Sequence, residues 1–162
     1  MGIEIRPTSV AAQIQKKDAV LDSVSSECNT RRQKVTEFCA DSTLTGDAWS
    51  MARQRLGLYS SLLMGLTKAA ESIKAADSTV SSELGVFGAA EKVSEDEWTT
   101  QRDDADRAYN QINKEIDPRV PTSQDAGLHE AADQWLDARN KADDMLNKIH
   151  DYDNRTKGAF SD

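Results

Sequence analysis

Two histidines, two cysteines and one tight acidic cluster are the residues whose types could do chemistry in this chain. A helical di-metal site needs a carboxylate three residues before each histidine. His129 and His150 are preceded at that spacing by Ala126 and Asn147. Glu130 and Asp151 sit directly beside them in sequence, and adjacent residues diverge around a helix. Both histidines therefore read as solvent-facing. There is no His-x-x-x-His zinc pair, no Cys-x-x-Cys, no Gly-x-Ser-x-Gly elbow, no glycine-rich phosphate loop and no dinucleotide fingerprint. Asp103-Asp104-Ala105-Asp106 lacks the glycine and the alternating ligands of a calcium loop, so it reads as a solvated helix face. Cys28 and Cys39 are eleven residues apart, about 16 Å along one helix, too far for a disulfide within the chain. They read as small buried hydrophobes, with intermolecular pairing as the alternative. No catalytic, cofactor-binding or metal-ligating residue is assigned, and the chain is expected not to be an enzyme.

The elements that would carry such residues are helical. The chain has 162 residues and a net charge of −8, and its eight glycines and three prolines are too few for a many-stranded β fold. An acidic chain is poorly suited to nucleic acid, because neutralising phosphates takes clustered Lys and Arg. No apolar run reaches the ~20 residues of a bilayer span, so stable membrane insertion is not expected. Met1–Val10 has no basic segment followed by an apolar one, hence no ordinary signal peptide.

Four helical segments are predicted. Pro7 starts the first, with Thr8 or Ser9 as candidate N-cap. Along it Val10, Ile14, Leu21, Val24, Cys28, Val35 and Phe38 make a seam, with Lys17 and Arg31 where the apolar series lapses; it should end near Ala40. Thr45 and Asp47 flank Gly46 at the next start. Ala52, Tyr59, Leu66, Ile73 and Val80 recur by seven, with Leu56, Leu63, Ala70 and Leu84 as a companion row. Gly57 and Gly65 inside it read as points of close helix approach, or as mild weak points. The helix should fade near Gly85 and Gly88. Ser94-Glu-Asp-Glu97 is a capping box for the third segment, where Trp98, Ala105 and Ile112 recur by seven beside Tyr109 and Ile116. Asp117-Pro118-Arg-Val-Pro121 ends it, and Thr122 or Ser123 caps the fourth. There Leu128, Trp135, Ala142 and Ile149 recur by seven, flanked by Ala138, Met145 and Tyr152, and Gly158 closes the segment.

The expected fold is all-α: about four helices in elongated hairpins over 9–85 and 95–155, with coiled-coil-like antiparallel packing. The boundaries are 1–92 for the first hairpin and 93–162 for the second, within one elongated domain. Residues 1–46 hold six acids and six bases, residues 47–92 five of each, and residues 93–162 the remaining 17 acids and 9 bases. The neutral, apolar-rich first hairpin is the candidate docking surface and the acidic second keeps the chain soluble. Trp98 and Trp135 occupy core positions. Trp49, just past the first hairpin turn, either seals that turn or anchors a partner.

The stretch from Phe38 through Asp41, Leu44-Thr45-Gly46 and Trp49 to Ala52, continuing to Leu62-Leu63-Met-Gly65-Leu66, resembles the LXG domain. That is the N-terminal region of polymorphic toxins of interbacterial competition, exported by type VII secretion systems of Gram-positive bacteria. The Leu-x-Gly of its name would be Leu44-Thr45-Gly46. The likeness covers residues 3–80; residues 93–162 carry no motif of it. It implies a non-catalytic secretion-targeting domain, related to WXG-type helical hairpins, with the toxic activity in a separate C-terminal domain. It also implies small WXG-like helical partners that bring the toxin to the secretion machinery. Such a protein is made in the cytoplasm and exported without a cleaved signal peptide. The toxin domain is expected to be absent from these 162 residues, which then form a fragment. Phe38, Leu44, Thr45, Gly46 and Trp49 are the expected partner-reading residues. The isolated domain could pair as a homodimer through its uncovered seam. The alternatives are a free-standing partner or chaperone of the same system, and a general coiled-coil scaffold.

Overall fold

The structure, a computed structural model, describes residues 2–43, 45–116 and 126–159. The fold is all-α. Its helices are α1 (Pro7–Ala40), α2 (Asp47–Leu84), α3 (Glu95–Glu115) and α4 (Ala126–Lys157), with a 3-10 turn at Gly85–Phe87. Two short strands, β1 (Glu4–Ile5) and β2 (Val93–Ser94), pair antiparallel, Glu4 opposite Ser94 and Ile5 opposite Val93. The chain divides into two compact units, one built on Val10–Ser82 and one on Met1–Ser9 with Glu83–Gly158.

Pro7 is the first residue of α1, where its ring presets φ and its missing N–H would have had no partner. Thr8 and Ser9 lie inside the helix, so neither is its N-cap. The Val10–Ser82 unit is an antiparallel α1–α2 hairpin. From α1, Ile14 and Cys28 are buried and Val10, Leu21 and Val35 half-buried, while Val24 and Phe38 stay exposed. From α2 the buried residues are Leu63, Thr67, Ala70, Asp77 and Val80. The inner row of α2 is therefore Leu56, Leu63, Ala70, Asp77 and Leu84, again spaced by seven. This is the companion row expected from sequence with Asp77 added; of the other row Val80 is buried and Ala52 half-buried, while Tyr59, Leu66 and Ile73 are exposed. An added Cβ at Gly57 or Gly65 would meet nothing within 4 Å, so neither is a point of close approach.

The two lapses in the α1 seam have partners on α2. Lys17 Nζ lies 2.5 Å from Asp77 Oδ1, and Asp77 is wholly buried. Arg31, held by Glu27 at 2.7 Å, reaches the Tyr59 hydroxyl at 3.5 Å. Lys74 adds a third cross-helix rung to Asp22 at 2.5 Å. Along α1 the rungs run Lys17–Asp77, Asp22–Lys74 and Arg31–Tyr59, in one antiparallel order, so a slip of the hairpin would break all three.

In the second unit, Ser94 caps α3: its Oγ accepts from the Glu97 N–H at 3.4 Å. Glu97 does not reach back as a full capping box would; its carboxylate takes Lys92 Nζ at 2.7 Å. The core gathers Ile5, Leu84, Phe87, Val93, Ala105, Ala132, Ala142, Leu146 and Ile149. Phe87 meets Tyr152 edge-on at 5.6 Å. Trp98 is half-buried, but Trp135, expected in the core, is 41% exposed, and Ala138 is exposed too. Leu146 and Ala132 take the inward places instead. The break at Asp117–Pro121 and the caps Thr122 and Ser123 lie outside the described residues.

Candidate partner-binding site

The α1–α2 turn is built by short-range polar bonds. Asp41 accepts from the Thr43 N–H at 2.9 Å and from its hydroxyl at 2.6 Å, closing an Asx-type turn. Those two bonds, with the Arg53 charge behind them, hold the Asp41 carboxyl below its ordinary value. Gly46 has φ +105°, a region that side chains disfavour, and its carbonyl accepts the first helical bond, from Ser50 N–H at 3.0 Å. Gly46 thus reverses the chain and starts α2 in one residue. An added Cβ there meets nothing within 4 Å, so the requirement is conformational and not steric.

Phe38 at the end of α1 meets Trp49 edge-on, ring centroids 4.6 Å apart. Arg53 lies over the Trp49 ring, 5.3 Å from its centroid, and donates to the Asp41 carbonyl at 3.0 Å. The structure therefore brings together Phe38, Gly46 and Trp49, with exposed Thr45 beside them and Arg53 as a member the sequence reading missed. Leu44 lies outside the described residues. Ser42, Thr45, Gly46, Trp49, Ser50 and Arg53 border a concavity of about 430 Å³. Trp49 is half-buried and its indole N–H, shielded from solvent, has no acceptor among the described residues.

A second concavity, also about 430 Å³, opens half-way along the hairpin between Val24 and Cys28 of α1 and Leu62, Leu63 and Leu66 of α2. Arg31, Glu27 and the Tyr59 hydroxyl edge it. On the same side of the hairpin Val20 is 63% exposed, Leu58 70% and Leu62 61%, with Met51 and Ile73 also uncovered. Exposed apolar surface of this kind marks interaction sites. The sequence reading named the hairpin as a docking surface but not these residues. Leu58 and Leu62, four apart and off both heptad rows, were the available sign.

Of the groups with reactive potential, Cys28 lines the groove, while Cys39 and His150 border neither concavity. Cys28 is buried and Cys39 half-buried, and both are free thiols. His150 is exposed, as its position implied, but it has a partner 55 residues away: its Nε2 lies 2.8 Å from Glu95 Oε1. The other oxygen of Glu95 accepts the Ile3 N–H at 2.8 Å. His150 and that N–H hold the Glu95 carboxyl below its ordinary value. Among the described residues no group of three His, Cys, Asp or Glu could hold a metal ion, and no helix is long and apolar enough to cross a membrane.

No family model, curated protein or solved structure matches this chain.

Proposed function

We propose that this chain is a non-catalytic docking module: an LXG-type targeting domain of a type VII-secreted polymorphic toxin. On this reading it is made in the cytoplasm and exported without a cleaved signal peptide, in company with small WXG-like helical proteins. The observation that carries the reading is the uncovered apolar face of the α1–α2 hairpin around Val24, Leu62 and Leu66. The groove spans about two helical turns on each side, which suits two turns of a third amphipathic helix laid along the hairpin. Burying one such leucine or valine contributes about 1.5 to 3 kcal/mol, so a few of them outweigh the cost of association. The turn residues Phe38, Thr45, Gly46 and Trp49, with Leu44, would form the end of the hairpin that the partner or the machinery reads.

Co-expression with the small helical proteins encoded beside this chain tests the proposal. Recovery of a defined hetero-oligomer by light scattering supports it. A second copy of this chain on the same face would appear instead as a homodimer indifferent to every neighbour, and would favour the scaffold reading.

A further inference from the structure

The apolar groove between Val24 and Leu62 has an uneven charge border. The hairpin over 10–82 carries eight acids and nine bases, so as a whole it is close to neutral. Helical residues seven apart share a face. Lys34 follows Glu27 by seven, Arg55 precedes Leu62 by seven, and Lys16 precedes Ser23 by seven; Glu27, Leu62 and Ser23 all line the groove. Lys16, Lys34 and Arg55 are exposed, and none has an ion pair among the described residues. Arg31 lines the groove itself and takes Glu27, the single acid in its lining. Two of the balancing acids are used elsewhere, Asp22 by Lys74 and Asp77 by Lys17. The groove is therefore bordered by cations that the hairpin itself leaves uncompensated.

Register places two of them opposite each other. Arg31 reaches the Tyr59 hydroxyl across the groove. Lys34 is three residues further along α1, and Arg55 four residues back along α2. In an antiparallel hairpin those steps run the same way, so one cation stands on each helix at the turn-ward end of the groove. The recess of about 430 Å³ has a buried floor, with Cys28 and Leu63 each 5% exposed. Such a trough receives the side-chain ridge of a third helix, whereas a flat lipid surface would bridge over it. We propose that the occupant is an amphipathic helix whose apolar stripe is bordered by acidic residues on both sides, one side meeting Lys34 and the other Arg55. The assignment rests on the docking reading above and adds the partner's charge to it.

The test uses two stapled alanine-based helices that share one leucine stripe. They differ only in the residues bordering it, glutamate in one and lysine in the other. Fluorescence anisotropy measures the binding of each to the full chain. The glutamate helix should bind about tenfold tighter at low salt. The difference should shrink to about twofold at about 1 M salt, where charges are screened beyond about 3 Å. Lys34→Glu with Arg55→Glu should reverse the preference, with circular dichroism unchanged. Should that variant fail to fold, the two helices on the unaltered chain at low and high salt still decide. Equal affinities, or a preference for the lysine helix, would overturn the charge assignment and leave the docking face standing. Binding of neither helix would overturn both. Phosphatidylserine vesicles that sediment the chain and displace the glutamate helix would overturn it in favour of a lipid surface.

Discussion

Lys17 and Asp77 show how one residue pair can discipline a long apolar seam. Asp77 is wholly buried, and Lys17 is 43% exposed in its side chain. Replacing Lys17 by Met leaves a buried carboxylate without its cation, which should destabilise the chain by about 2 kcal/mol. That is less than the 3 to 5 kcal/mol of a fully buried pair, because water reaches Lys17. The double variant Lys17→Met with Asp77→Leu should recover most of that loss, since both polar groups leave together. Chemical denaturation of the three proteins measures both numbers. At the other end of the hairpin, Gly46→Ala places a side chain at φ +105° in open space. The cost is backbone strain of about 1 to 2 kcal/mol, read as a lower thermal midpoint with helicity retained below it.

At the scale of elements, the helix borders were legible because they rest on local chemistry. Pro7, the Ala40 end, the Ser94 cap and the stop at Gly85–Gly88 are each set by one or two neighbouring residues. The inward row of α2 was legible in Leu56, Leu63, Ala70 and Leu84, but not its fifth member, Asp77, because a count of apolar residues passes over an aspartate that takes its cation from another helix. Trp135 misled for the related reason that size marks a residue as core only where the facing helix leaves room. The candidate turn residues were legible in Gly46 and Trp49, while Arg53 and the Leu62 groove depend on contacts across the hairpin. The β1–β2 pair has two residues per strand, too short to show any period. It is tied by Glu95, which joins the Ile3 N–H to His150. Because the folded Glu95 carboxyl titrates below its ordinary value, its contribution is present at and above the ordinary range and disappears as pH falls through the lowered one. The cross-strand nuclear Overhauser contact between Ile5 and Val93 should therefore persist at pH 5 and fade on further acidification. Glu95→Gln should weaken it already at neutral pH.

For the whole molecule, the central claim is that an apolar face of the α1–α2 hairpin is there to be covered by a small helical partner. Val24 and Leu62 are exposed in the chain alone, so Val24→Glu with Leu62→Glu should change its own stability by no more than about 0.5 kcal/mol each. The same charges placed under a docked helix would be desolvated without partners, and capture should fall by a factor of one hundred or more. The most direct measurement is co-purification of this double variant and of the unaltered chain with the helical proteins encoded alongside, weighed by light scattering. A defined hetero-oligomer with the unaltered chain, lost in the double variant while its circular dichroism is preserved, is the predicted result. A hetero-oligomer that survives both glutamates, or an unaltered chain that captures no neighbour, would contradict the account.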